Sequence, residues 1–177
     1  MNDAEVLDVT RNCGITLERN SAAVRKMFAQ FATGICVLLV ENEGLVGCKG
    51  LTINSFSSVS LEPLLVAFSL KSKSNFFLNF KKASVFSINI LSSEQLGLAK
   101  ECSVPGGRNF SFMELEKKNF FYIPNSLVSM DCYIKQMVEA GDHIIFICEV
   151  LDMAYHEPSK NPLIFFDSQY YQHPYKE

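Results

Sequence analysis

The reading of this chain turns on the stretch GLTINSFSSVSLEPLLVAFSL, residues Gly50 to Leu70. Its second half, LLVAFSL (64–70), is an apolar run of strand length, and Pro63 marks the turn before it. Its first half sets Thr52, Asn54, Ser55, Ser57, Ser58 and Ser60 into what should be sheet, although Ser, Asn and Gly are poor strand residues. In strict alternation Thr52, Asn54 and Phe56 share one face and Ile53, Ser55 and Ser57 the other, so neither face is cleanly apolar. Two explanations stand side by side. The segment is an exposed, serine-rich edge strand, or it is a seam that hydrogen-bonds a flat polar ligand. Hydroxyls and an Asn amide supply both donors and acceptors for the second.

Outward from this stretch the chain alternates apolar runs with turn chemistry. Val24, Met27, Phe28 and Phe31 recur at helical spacing after a possible N-cap at Ser21, which predicts an amphipathic helix over 22–32 ending at Gly34. ICVLLVE (35–41) reads as a buried strand, NEG (42–44) as a turn, and a second strand starts near Leu45. After KSKSN (71–75), Phe76, Phe77 and Phe80 fall on one helical face. SVFSINIL (84–91) is a strand, and SSEQLGLAKECS (92–103) a helix opened by Ser92 or Ser93. VPGGRNFSF (104–112) reads as a mobile loop. From Val128 a long hairpin turns at Gly141, and PLIFFDSQYY (162–171) reads as a last strand with a short extension. Residues 1–20 form a loose arm and 21–177 the domain. Closely spaced strands with interrupting helices favour a mainly β architecture, an antiparallel barrel with helices outside it. The lack of a Gly-rich strand-to-helix turn argues against a doubly wound parallel sheet.

Composition narrows the function. The chain has 177 residues, 48% of them hydrophobic, and a formal net charge of −3. That describes one folded domain with no basic footprint for nucleic acid. No run approaches the roughly 18 apolar residues of a membrane span, and the polar N-terminus does not read as a secretory signal. A soluble cytoplasmic protein is expected. Six cysteines occur, none as Cys-x-x-Cys and none with a His at ligand spacing. They read as small buried hydrophobes in a reducing compartment, and no metal site is expected.

Several residues are candidates for chemistry. Ser72, Lys73 and Ser74 stand where a buried strand gives way to a helix, a place suited either to phosphate binding or to ordinary N-capping. His143 follows the hairpin turn beside Asp142. It is a structural or solvated histidine, or an imidazole at a cleft rim that contacts substrate or helps protonate a reduced ring. His156 and His173 lie in polar segments and receive no role. Arg108 pairs with a phosphate or is solvated. Tyr170 and Tyr171 pack, form an interface or stack on a ligand. No Walker loop, Ser-His-Asp order or paired carboxylates occur, so nothing supports hydrolase chemistry.

The segments FATGICV (31–37), GLTINSFSSVSLEPLLV (50–66), KSKSN (71–75), INILSSEQ (88–95), GDHIIF (141–146) and PLIFFDSQY (162–170) resemble, in the same order, the pattern of the flavin reductase-like family with its FMN-binding split barrel. The resemblance covers about residues 21–171 and is most specific in the second segment. It implies a homodimeric antiparallel split β-barrel that holds FMN or FAD. It further implies that NADH or NADPH reduces the flavin, which is often passed to a separate monooxygenase. By position, Thr52, Asn54, Ser55 and Ser57, with Phe56 between them, would line the ring and ribityl portion. Ser72 and Ser74, with Lys73, would take the phosphate, and His143 would sit near the nicotinamide. Three positions depart from the pattern. Cys148 and Ser168 replace glycines, and Leu64 replaces a proline. Cys148 is expected to narrow the site, and Ser168 to alter the last turn if its φ is positive.

Overall fold

Strands form where the apolar runs are, and their order in space makes an open barrel. The computed structural model describes residues 21–41, 46–74, 76, 77, 80, 85–156 and 159–172. In chain order these are α1 (Ser21–Phe28), β1 (Thr33–Gly34), β2 (Cys36–Glu41), β3 (Cys48–Ile53), β4 (Ser57–Leu61), β5 (Leu64–Lys71), β6 (Phe86–Ile90), α2 (Leu96–Cys102), β7 (Arg108–Phe110), β8 (Glu116–Lys117), β9 (Phe121–Tyr122), β10 (Val128–Ala140), β11 (His143–Tyr155), β12 (Ile164–Phe166) and β13 (Gln169–Tyr171). Eight strands make one antiparallel sheet in the order β4-β5-β11-β10-β6-β2-β3-β7. The sheet does not close, as a split barrel requires. A small sheet, β1-β12-β13, stands beside it. Among the described residues no helix is long and apolar enough to cross a membrane. The proposed arm, residues 1–20, and the NEG turn lie outside the described residues.

β2 explains the architecture. From Cys36 to Val40 it is apolar at every position because both faces are buried, and its last residue, Glu41, is exposed. Cys36, Leu38 and Val40 point into the barrel interior. Val37 and Leu39 face a second core beneath α2, with Ala99, Cys102, Phe110 and Leu163. The interior is an aromatic cluster. Phe68 stacks on Phe146 at 5.0 Å, and Phe80 meets Phe86 edge-on at 4.8 Å. Phe76, Phe77 and Phe80 are helical, and Phe76 and Phe80 are fully buried in the barrel interior. The long β10–β11 hairpin turns at Gly141 with φ +62, the left-handed region that glycine enters freely.

The capping box at Ser92 locates the helical segment ahead of α2. The Ser92 N–H donates to Gln95 Oε1 at 2.9 Å, and the Gln95 amide donates to the Pro124 carbonyl at 2.9 Å. Asn89, buried in β6, donates to the Val37 carbonyl at 3.3 Å and accepts the Ile123 N–H at 2.9 Å. One amide thus joins β2 to the segment after β9.

Five expectations are corrected. α1 ends at Phe28 rather than at residue 32, with Phe28 74% exposed and Phe31, beyond the helix, 78% exposed. β3 begins at Cys48, not near Leu45. The supposed mobile loop contains β7, whose Arg108 to Phe110 pair with β3 and whose Phe110 is buried. The last segment is a tight hairpin of two strands, not one. Its turn holds Asp167 at φ 47 and Ser168 at φ 60, the same left-handed geometry that Asp and Asn tolerate. Cys148 is buried in the barrel interior with Val66 and Phe146, and it does not line the cleft beside the seam.

Candidate functional site

The hydroxyl-rich stretch is not one continuous strand. β3 stops at Ile53, the chain bends through Asn54 to Phe56, and β4 starts at Ser57. The bend is pinned by Ser55, whose hydroxyl donates to the Ser69 carbonyl and accepts the Ser69 N–H, both at 3.1 Å. Alternation is therefore lost at Asn54. Phe56 turns inward against the barrel core, and Ser57 bonds locally to the Ser58 carbonyl.

Beside the bend lies a cleft of about 610 Å³, within the usual range for small-molecule sites. One wall carries Thr52, Asn54 and Ser55. The end of β5 supplies Ser69 and Lys71, the turn after it Lys73 and Ser74, and the start of β11 supplies His143. The facing wall is the loop Ser103–Gly106. Among the described lining residues the charged ones are Lys71 and Lys73, so one end of the cleft is cationic and suited to phosphate. Asn54 is exposed and faces the cleft, while the Thr52 hydroxyl donates to the Ala99 carbonyl at 2.7 Å and so also anchors α2. Ser74 caps the following helical turn by accepting the Phe76 N–H at 3.3 Å. His143 Nδ1 lies 2.7 Å from Asp142 Oδ1, a contact that orients the ring. That contact also holds the Asp142 carboxyl below its usual range.

A smaller cavity of about 150 Å³ adjoins the cleft, sharing Thr52, Ile53, Asn54 and Ser103 with it and adding Ile35, Phe165 and Tyr170. Tyr170 stands edge-on to Phe165 at 5.1 Å.

Of the residues singled out from sequence, the fold gathers Thr52, Asn54, Ser55, Lys73, Ser74 and His143 around the cleft and Tyr170 around its annex. Phe56, Ser57, Ser72 and Arg108 lie outside both linings. The Ser72 hydroxyl donates to the Asp142 carbonyl at 3.2 Å, joining the end of β5 to the hairpin turn. Arg108 pairs with Glu101 at 3.2 Å, bonds Glu114, and lies 4.4 Å over the Phe110 ring. The Ser111 N–H, with Arg108 nearby, keeps the Glu114 carboxyl low. Arg108 thus braces the loop behind the cleft wall. Sequence reasoning missed the wall Ser103–Gly106, and of the two lysines in KSKSN it named only Lys73 as a site residue. The Pro105-Gly106-Gly107 cluster signalled a loop, but nothing local indicated that β7 would dock it against β3. Among the described residues no three His, Cys, Asp or Glu side chains gather to hold a metal ion.

Comparison with known proteins points one way. A family model described as "Flavin reductase like domain" matches residues 28–174. The chain is 34% identical over 149 residues to "FMN reductase (NADH) SmoA" of Agrobacterium fabrum, covering 82% of this chain and 82% of that one. It is 35% identical over 133 residues to the reductase component of a flavin-dependent trigonelline monooxygenase of Acinetobacter baylyi, covering 72% of this chain and 41% of that protein. The solved structure of flavin reductase PheA2 superposes with a TM-score of 0.77 at 30% identity, over 88% of this chain and 99% of that one.

Proposed function

This chain belongs to the flavin reductase-like family, and from that premise we propose that it is an NAD(P)H-dependent flavin reductase acting on FMN or FAD. The observation that carries the reading is the cleft, in which a hydrogen-bonding wall and a cationic end meet. A flavin has the matching layout, a flat ring edged with donors and acceptors and a phosphate on a flexible chain. When bound, the flavin supplies the redox chemistry, taking a hydride at N5 from C4 of the reduced nicotinamide, with a proton from solvent or a side chain completing its reduction. The chain's own residues bind and orient. Lys73 and Lys71 attract the phosphate, and the Asn54 amide and nearby backbone groups address the ring edge. Ser55 keeps its hydroxyl for the β5 backbone, so its part is to hold the bend in shape. His143, oriented by Asp142, stands at the rim where it can contact the nicotinamide or deliver a proton.

Two finer statements belong to the same proposal. The protein works as a homodimer, supported by the uncovered apolar side chains Met27, Phe28 and Phe31 and by Leu151, Met153 and Tyr155 on β11. It hands reduced flavin to a partner monooxygenase in the cytoplasm. Similarity to a monooxygenase reductase component supports the partner, and five buried, unbonded cysteines support the reducing compartment. The test is to follow NADH and NADPH oxidation by the purified protein with added FMN, FAD or riboflavin. Flavin-dependent oxidation is expected. Flavin bound without turnover would reduce the protein to a flavin carrier, and no binding of any flavin would remove the proposal.

A further inference from the structure

The loop wall of the cleft is fastened to β3 at both of its ends. Ser103, Val104 and Pro105 are exposed, so the wall takes its position from those ends and not from side chains of its own. At the far end Arg108 pairs with Gly50 in the β3–β7 ladder. At the near end the wall begins where α2 stops, and the Ser103 hydroxyl closes that helix on the Lys100 carbonyl at 2.8 Å. The carbonyls of a last helical turn find no donor within the helix. That of Ala99 takes its donor from β3, the Thr52 hydroxyl at 2.7 Å. Thr52 stands two residues from Gly50 and lines the opposite wall. One hydroxyl therefore ties one side of the cleft to the helix that carries the other.

We propose that Thr52 sets the width of the cleft, as a positioning residue that acts through α2 and not as a ligand of the flavin. The inference rests on the reductase reading above. A threonine hydroxyl has one proton to donate. With that proton on Ala99, Thr52 has no donor left for a carbonyl of the flavin ring. Turning it toward a ligand would leave the Ala99 carbonyl without this donor at a buried residue, a costly exchange. Ala99 and Cys102 belong to the core that Val37 and Phe110 also enter. Apolar contacts of that kind hold the helix on the sheet, but they are non-directional and do not fix how far it slides along its axis. The Thr52 hydrogen bond is directional and supplies that register. The Arg108–Glu101 ion pair at 3.2 Å adds a second polar contact, but Glu101 is exposed and such pairs contribute little.

The test reads two quantities, amide exchange of the loop in ligand-free protein and the FMN dissociation constant by fluorescence quenching. Thr52→Val keeps the side-chain shape and removes the hydroxyl. It is expected to speed exchange over Ser103 to Gly107 about threefold or more and to weaken FMN about fivefold, the fold-change of one net hydrogen bond. Thr52→Ser keeps the donor and is expected to stay within about twofold of the parent in both. Ser87→Ala is the control for a merely structural loss. It deletes a hydroxyl buried in β6, outside both cavity linings, that donates to the Phe121 carbonyl at 2.7 Å. It is expected to lower Tm and leave FMN affinity within about twofold of the parent. If Thr52→Val does not fold by circular dichroism, Thr52→Cys, a weak donor, replaces it and must move both readouts the same way. Unchanged loop exchange overturns the proposal, and with weakened FMN it makes Thr52 a direct ligand. Faster exchange with unchanged FMN affinity overturns it as well. So does a Thr52→Ser variant no better than Thr52→Val, or a Ser87→Ala variant that weakens FMN equally. If the parent protein binds no flavin, the reductase reading fails instead, and loop exchange still decides whether Thr52 holds the wall.

Discussion

Gly107→Ala, compared with Gly106→Ala, isolates the contact that holds the cleft wall. Both glycines lie in the left-handed region, at φ +73 and +88. A Cβ on either costs about 1–2 kcal/mol for the conformation alone. Their surroundings differ. Nothing lies within 4 Å of a Cβ at Gly106, whereas one at Gly107 would stand 2.2 Å from the Gly50 carbonyl oxygen and 3.2 Å from its carbon. That oxygen is backbone of β3, next to the Gly50–Arg108 pairing, so relief requires the strand or the loop to move. Overpacking of this kind adds about 1–3 kcal/mol, giving about 2–5 kcal/mol for Gly107→Ala against about 1–2 for Gly106→Ala. For a chain of this size the Tm losses are about 4–20 °C and about 2–8 °C. Because the displaced segment carries the Ser103–Gly106 wall, flavin affinity should fall with Gly107→Ala by more than with Gly106→Ala. Differential scanning calorimetry and flavin fluorescence titration measure both. Equal Tm losses and equal affinities would refute the docking argument.

Three further outcomes follow from the core and its titratable groups. Phe80→Ala removes a fully buried ring that touches Phe68, Phe76, Phe86 and Phe146 and should cost about 3–5 kcal/mol by urea denaturation. Burial, with Asp152 across the strand pair, holds the Asp131 carboxyl above its ordinary range, so the folded state binds that proton more tightly than the unfolded one. This contribution to stability is full below the ordinary aspartate range and is lost as pH rises through the raised folded value; Asp131→Asn should flatten that part of the stability–pH curve, measured by denaturant titration. Burial pushes the thiols of Cys36, Cys48, Cys102 and Cys148 up to about 12 and raises Cys132 as well, so native protein should resist thiol reagents at neutral pH at these positions and react once unfolded, as mass-resolved labelling would show.

What local pattern could reveal depended on whether the controlling contact was local. The β10–β11 hairpin was legible because Gly141 and the flanking strands supply turn and alternation together. The Ser92 cap was legible because its partner, Gln95, is three residues on. The bend at Asn54 was not, because Ser55 is held by Ser69, fourteen residues away, and no spacing within the seam announces it. The second half of the last hairpin escaped because its turn uses Asp167 and Ser168 with no glycine. What lies against the apolar face of α1 was not legible, because periodicity reports amphipathicity and does not say what covers it. At the site, the segments nearest in sequence to the seam were found, while the loop wall entered through β7 pairing with β3, a long-range event. Ser72 and Arg108 have the right chemistry for a phosphate, yet the Asp142 carbonyl and two glutamates engage them first.

The β12–β13 hairpin has a practical corollary. Its turn at Asp167 and Ser168 is clamped to the residues after α1, with the Asp167 N–H on the Ala29 carbonyl at 2.7 Å and the Gln30 amide on Asp167 Oδ1 at 3.0 Å. A spectroscopic label or crosslinker attached at that turn would disturb both contacts and with them the Phe165–Tyr170 pair that the hairpin carries. Reporters of flavin binding therefore belong on strands away from this hairpin.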